Sequence, residues 1–190
     1  WTLRYANPEG AKEMMTALAE ANPSGFADRI ESMRQQLKNQ GASTALHATV
    51  RHRERGYLMW GAFLLGKNTN AATVDKTIKL LEQRKREWRL NIPITWRHPD
   101  GWEATAEAAR KMADAYDVVY ANEHGARYSH HYNGTAVDLA AYALPRSVTL
   151  QAQDGARKTF DLSDPDQTRD LNLTPELIEW VEAHFSMKTL

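Results

Sequence analysis

Residues 129–138 read Ser-His-His-Tyr-Asn-Gly-Thr-Ala-Val-Asp and are the stretch of this chain best suited to chemistry. They fit the pattern S-x-H-x-x-G-x-A-x-D, in which His131 and Asp138 stand seven residues apart. An imidazole and a carboxylate at this spacing can meet at one metal ion if a turn is followed by a strand. Gly134 suits such a turn, because glycine tolerates backbone angles that other side chains forbid.

The residues after this turn alternate as a strand with one buried face would. Across 135–141, Val137 and Leu139 fall on one face and Asp138 falls on the other. The carboxylate is therefore predicted to point away from the apolar side, and the small Ala136 leaves room between it and the turn. The alternative is a surface His-His loop before a core strand with a buried, satisfied aspartate.

All five fixed positions of this motif resemble those of a zinc peptidase superfamily. The superfamily includes D-alanyl-D-alanine carboxypeptidases and dipeptidases, phage peptidoglycan endopeptidases and the hedgehog signalling domain. The resemblance implies that His131 and Asp138 bind Zn²⁺ and that Ser129 lies beside the substrate. We do not count His130 as a ligand, because one histidine of such a pair normally points elsewhere.

The resemblance also implies a peptidase mechanism. A catalytic zinc ion usually has three protein ligands and one open position for water, whose pKa it lowers to about 7. A nearby carboxylate then takes a proton and passes it to the leaving amine. A hydrogen-bond donor or a cation must stabilise the oxyanion.

Arg51 is our candidate for that cation. It lies in a segment similar to the strand-then-arginine element of the superfamily, with Thr-Val-Arg-His in place of Gly-Tyr-Arg-Ser. A guanidinium there could hold a substrate carbonyl or a terminal carboxylate through two parallel hydrogen bonds. The alternative is a surface arginine in a turn crowded by Arg53 and Arg55. His47 shares the predicted face of Arg51 and could line the cleft.

The third ligand of the superfamily is a histidine near the end of the domain, often in Asp/Glu-x-x-His. The last histidine here is His184, with Glu182 two residues and Glu179 five residues before it, in a segment whose pattern is helical rather than extended. Either His184 is the third ligand with Glu182 or Glu179 as the base, or both functions lie beyond Leu190. In the superfamily this third histidine lies on a strand. We favour the second, because the chain stops where such a strand should begin.

Composition limits the remaining possibilities. The chain has 190 residues, about one domain, and 24 basic against 24 acidic side chains, so no basic excess suggests a nucleic-acid partner. It has no cysteine, which excludes disulfides and thiolate metal sites. No run of about 18 apolar residues is present to span a membrane. No signal peptide is visible, and the first residue, Trp1, indicates a product cut from something longer.

The elements that must position these residues are predicted from periodicity and turn signals. Helices are expected over about 8–21, 26–40, 55–65, 73–90, 102–116 and 175–185, and strands over 44–51, 118–120 and 135–141, with a hairpin around Asp154-Gly155. We expect an α+β class with a small, mostly antiparallel sheet flanked by helices, similar to the hedgehog and D-Ala-D-Ala peptidase fold. One domain is expected over 1–190, with helices in 1–43 and a catalytic core in 44–190.

The leading interpretation is a zinc-dependent peptidase of bacterial or phage origin that hydrolyses peptidoglycan stem peptides. Its action on the cell wall places it in the periplasm or outside the cell. One alternative is a binding module that keeps the zinc site without catalysis. A second is the cell-wall-targeting part of a larger phage or secreted antibacterial protein.

Overall fold

The structure is a computed structural model that describes residues 10–164 and 168–185. In that part of the chain it has seven α-helices and two small antiparallel sheets of two strands each. The predicted α+β class is confirmed. The prediction of one sheet is wrong, because the four strands pair only two by two. The helix start predicted at Asn7–Glu9 and the terminal segment 186–190 lie outside the described residues.

The elements follow one another in an order close to the predicted one. The helices are α1 (Ala11–Ala21), α2 (Phe26–Asn39), α3 (Arg53–Gly66), α4 (Ala71–Glu87), α5 (Trp102–Ala115), α6 (Glu123–Tyr128) and α7 (Pro175–Phe185). The strands are β1 (Ser43–Ala48), β2 (Asp138–Tyr142), β3 (Ser147–Gln151) and β4 (Arg157–Asp161). Single turns of 3-10 helix occur at His130–Asn133 and Leu171–Leu173.

The described residues fall into two compact units. The first unit is helical and consists of Arg51–Tyr132, which carries α3 to α6. The second unit takes the described residues on either side of that segment and holds α1, α2, all four strands and α7. The chain thus leaves the second unit at Val50 and returns to it at Asn133. The expectation of one domain over 1–190 stays a prediction.

The first unit is built around α3, which packs against α4, α5 and α6. Tyr57 of α3 is fully buried. Its hydroxyl donates a hydrogen bond to the Leu81 carbonyl (3.0 Å) and accepts one from Trp96 Nε1 (2.9 Å). Gly61 leaves room for that indole, because a Cβ at this position would lie 2.4 Å from the Trp96 ring. The core of this unit is therefore aromatic and hydrogen-bonded internally.

The second unit pairs β1 with β2 and β3 with β4, both antiparallel. The apolar faces of β3 and β4 share one core with α2 and α7, in which Val148, Leu150, Phe160 and Leu177 are buried. The Asp154-Gly155 turn joins β3 to β4, with Gly155 at a φ of 89°. The predicted hairpin is therefore confirmed, as is the helix that begins at Pro175.

Two predicted strand features are wrong. The strand predicted over 44–51 ends at Ala48 after an irregularity in its pairing, and Thr49 is fully buried, although unbroken alternation would put it on the face of the exposed His47. A bulge of this kind shifts the alternation of a strand by one residue. The segment 118–120 forms no strand, and Val119 is 88% exposed. Among the described residues, no strand pairs with this short apolar run.

Among the described helices, none offers a stretch both long enough and apolar enough to cross a bilayer.

Candidate functional site

His131 lies in the turn of 3-10 helix at the end of the first unit. Ser129 closes that turn twice: its hydroxyl accepts a hydrogen bond from His131 N (3.3 Å), and its carbonyl accepts one from Tyr132 N (3.1 Å). Serine favours such local bonds because its short side chain reaches the backbone two residues on. Ser129 therefore shapes the backbone of the motif, and its expected contact with substrate stays a prediction.

Arg51 is joined to the same turn through its main chain. The Arg51 N–H donates a hydrogen bond to the His131 carbonyl at 3.1 Å. The peptide groups on both sides of His131 are thus held, one by Ser129 and the other by Arg51. The two motif elements identified in the sequence, which are 80 residues apart along the chain, meet at this hydrogen bond.

Tyr132, the residue after His131, anchors the turn to two helices. Its hydroxyl donates a hydrogen bond to the Ala126 carbonyl of α6 at 2.8 Å. The same hydroxyl occupies the space that a side chain at Gly56 would fill, 1.8 Å from the position of an ideal Cβ. Burial raises the pKa of Tyr132 to about 12, so this hydroxyl remains a donor at neutral pH. Neither contact was predicted.

Arginines cluster at the start of α3. The guanidinium of Arg55 lies over the ring of Tyr116, with its central carbon 4.6 Å from the ring centroid. Burial lowers the pKa of the Arg55 side chain, and the positive charge of Arg51 acts in the same direction. Arginine stays protonated at neutral pH even when so shifted. The first unit therefore presents a cationic, partly desolvated region at the segment that carries Arg51.

Asp138 lies in the second unit, at the first residue of β2. It pairs in register with Ala48, the last residue of β1. Asp138 is exposed whereas Ala141 of the same strand is buried, which confirms that the carboxylate is on the side away from the core. β1, the strand that precedes Arg51 in the sequence, thus runs beside the strand that begins with the motif aspartate.

Gly134 makes the predicted turn before that strand. Its φ is 62°, in the left-handed region that favours glycine. It is also tightly packed, because a Cβ at this position would lie 2.9 Å from Ala21 Cβ, at the end of α1. Asn22 donates its side-chain N–H to the Gly134 carbonyl at 3.0 Å. The turn is therefore fixed both by its own conformation and by α1.

His184, the candidate third ligand, lies in the last turn of α7. Its Nδ1 is 3.1 Å from Asp154 Oδ2 in the β3–β4 turn, and its ring lies 4.7 Å from the Trp180 ring. The superfamily places its third histidine on a strand, whereas this histidine is helical and pairs with a turn carboxylate. Glu179 and Glu182, the candidate bases, belong to the same helix.

The motif side chains offer donor atoms of the kinds that zinc binds. An imidazole nitrogen and a carboxylate oxygen are both donors that zinc accepts, so His131 and Asp138 fit that metal. Within residues 10–164 and 168–185, no group of three or more His, Asp or Glu side chains is arranged to hold a metal ion. The role of His131 and Asp138 as metal ligands stays a prediction, and the described residues offer no third ligand beside them.

Sequence reasoning missed Tyr132, Gly56 and Tyr116 as parts of this region and treated Arg55 as a neighbour that crowds Arg51. Tyr132 stands inside the motif, at a position where the pattern allows any residue, so nothing distinguished it. Gly56 lies within a helix, where an isolated glycine costs about 1 kcal/mol relative to alanine. A glycine at that cost was the one sequence signal that another side chain packs closely against this helix.

The chain was compared with protein families, curated proteins and solved structures, and none of them matches it.

Proposed function

We propose that this protein is a zinc-dependent peptidase that hydrolyses peptidoglycan stem peptides. The proposal rests on the motif at 129–138 and on its resemblance to the peptidase superfamily. One observation supports it most: Gly134 forms a left-handed turn and Asp138 opens an exposed strand position, as the motif requires. The finer fold, similar to that of hedgehog and D-Ala-D-Ala peptidases, is part of the same proposal.

The residues of this chain would divide the work as follows. His131 and Asp138 would hold the metal, which when bound supplies Lewis-acid activation of water and of the scissile carbonyl. Arg51 would bind the substrate carbonyl oxygen or terminal carboxylate and stabilise negative charge as it develops there. The substrate places this activity in the periplasm or outside the cell.

Zinc binding is the first test. Isothermal titration of the purified, metal-free chain with Zn²⁺ should show a site that His131→Ala and Asp138→Ala each weaken at least tenfold. The matched control is His130→Ala, which removes the exposed neighbouring imidazole and should leave the affinity unchanged. We expect His184→Ala to leave it unchanged as well, since that ring pairs with Asp154. Equal affinities for all four variants would contradict the proposed site.

Hydrolysis is the second test. The full-length, zinc-loaded protein should cleave purified muropeptides, and the cleavage should disappear with a chelator and return with added zinc. Arg51→Lys keeps the charge but loses the two-pronged geometry, so it should lower kcat/KM on the order of tenfold or more. Cleavage that survives complete metal removal would overturn the proposal. Zinc binding without any cleavage would favour the alternative of a binding module.

A further inference from the structure

Among the contacts that hold the main chain around His131 are four hydrogen bonds and one close packing contact inside the first unit. Ser129 supplies two of the bonds and Arg51 the third. The fourth belongs to Tyr132, whose hydroxyl reaches the Ala126 carbonyl at 2.8 Å. The Ser129 bonds close the turn upon itself. The Tyr132 contact ties the turn to the helices.

Tyr132 packs against Gly56 of α3, where the absence of a side chain leaves a gap. Gly56 is buried and lies in the first turns of that helix, where any other residue except proline would favour the helix more. A Cβ there would meet the Tyr132 hydroxyl oxygen at 1.8 Å, Cζ at 2.9 Å and Cε1 at 3.3 Å. These distances lie inside van der Waals contact, so even alanine would displace the phenol ring. Glycine at position 56 therefore lowers the stability of the helix but lets the ring of Tyr132 approach.

We propose that Tyr132 is a positioning residue for His131 and that Gly56 is the gap that makes its position possible. Tyr132 follows His131 directly in the chain and its hydroxyl is bonded to α6, so we expect a ring displaced from Gly56 to shift the adjoining peptide. The role in metal binding rests on the proposed function, in which His131 is a ligand. Residues that orient a metal ligand typically change metal affinity on the order of 10- to 100-fold when they are replaced.

Gly56→Ala tests this with zinc itself as the probe. We expect the affinity for Zn²⁺ to fall on the order of tenfold or more. Tyr132→Ala removes every ring atom that the new methyl group would meet, so adding Gly56→Ala to it should leave affinity within a few-fold of Tyr132→Ala alone. This non-additivity is a signature that two residues in contact share one interaction. Independent, additive losses would overturn the proposal.

Gly61→Ala is the matched control. It makes the same substitution five residues later in α3, where the new methyl group would meet the Trp96 ring at 2.4 Å. It should lower the melting temperature at least as much as Gly56→Ala and leave zinc affinity unchanged. A general loss of stability would instead weaken zinc binding in both variants, which would count against a positioning role.

A second measurement separates this inference from the proposed function. Imidazole ¹H–¹⁵N spectra of the metal-free protein report each of the seven histidines. The His131 signals should shift in Gly56→Ala and stay in place in Gly61→Ala. If the unaltered protein binds no zinc but His131 responds in this way, the proposed function fails and the positioning of His131 stands. If the protein binds zinc and Gly56→Ala changes neither affinity nor spectrum, the positioning inference fails alone.

Discussion

Gly134 is the residue whose backbone decides the shape of the motif. Its positive φ places the chain in a conformation that costs an ordinary residue about 1–2 kcal/mol. Its hydrogen atom also faces Ala21 at a distance that admits no methyl group. Glycine is favoured at this position for two physical reasons. The positive φ is a local reason, and the close contact with Ala21 is a tertiary one.

These two reasons can be separated by experiment. Gly134→Ala should lower the free energy of unfolding by more than Gly155→Ala, measured by urea denaturation. Both positions have positive φ, at 62° and 89°. A Cβ at Gly155 would have no atom within 4 Å, whereas one at Gly134 would meet Ala21 at 2.9 Å. Each variant should lose about 1 kcal/mol or more for its backbone. Equal losses would show that the contact with α1 contributes nothing.

At the scale of elements, α2 protects the edge of the β3–β4 hairpin. Gln40 donates to the Thr149 carbonyl and accepts from its N–H, both at 2.7 Å. Gln36, one turn earlier, makes the same pair of bonds with Gln151, at 2.9 and 2.7 Å. Two side-chain amides therefore take the place of a third strand. Exposed strand edges promote aggregation, and covering them is one way in which proteins avoid it.

Removing one of these amides should expose that edge. Gln40→Ala leaves the peptide groups at Thr149 without their partner, and we expect a loss of about 1–3 kcal/mol in unfolding free energy. The control is Gln35→Ala on the same helix, where the amide binds only the Glu31 side chain at the surface. It should cost less than about 0.5 kcal/mol. Light scattering on warming should rise earlier for Gln40→Ala, and identical behaviour would contradict the role.

The turn of the same hairpin is joined to α7 by Asp154 and His184. A hydrogen bond from the Ala156 N–H, followed by the bond with His184, holds the pKa of Asp154 below its ordinary value of 3.8. A carboxyl group with a lowered folded pKa stabilises the fold above the unfolded value and loses that effect as pH falls through the folded value.

The lowered pKa of Asp154 predicts how the stability lost in an Asp154 variant depends on pH. Asp154→Asn should melt at a lower temperature than the unaltered protein at pH 5, where the carboxylate is ionised. The difference should shrink as the pH falls from about 3.8, where the unfolded carboxyl takes up a proton, through the lower pKa of the folded state. On the same hairpin, the bonds with Ser163 also lower the pKa of Asp161, so Asp161→Asn should show a pH dependence of the same sign. A difference that grows with acidity would contradict this sign.

At the scale of the whole molecule, each of the two compact units has a hydrophobic core of its own. The candidate motif runs from the end of the first unit into the second, so His131 and Asp138 are positioned by different cores. The first fixes His131 through α3 and α6, and the second fixes Asp138 through β1. A substitution that disrupts the first core should therefore disturb His131, and one that disrupts the second core should disturb Asp138.

Hydrogen exchange can measure how independent these cores are. Leu81 is fully buried in the first unit, and Leu81→Ala should cost about 2–5 kcal/mol there. We expect amide protection to fall mainly within 51–132 and to persist in β3 and β4. Leu150→Ala, fully buried in the second unit, is the reciprocal variant and should give the opposite pattern. Uniform loss of protection in both variants would favour the single cooperative domain predicted from the sequence.

The sequence by itself determined the local features of this protein. Hydrophobic periodicity and terminal signals predicted the helices 26–40, 55–65 and 102–116 to within a few residues, because such patterns act between neighbours in the chain. The Asp154-Gly155 hairpin and the Gly134 turn followed from backbone preferences alone. The motif residues were also chosen from the sequence, and their role as zinc ligands remains the proposal to test.

Only the tertiary structure decided how these pieces are held. It separated four strands into two sheets, left 118–120 unpaired and buried Thr49, because strand pairing depends on partners far away in the sequence. It also placed Tyr132 against Gly56 and joined Arg51 to His131, contacts that span about 80 residues. Periodicity carries no information at such separations, so close approaches of this kind appear only once the chain has folded.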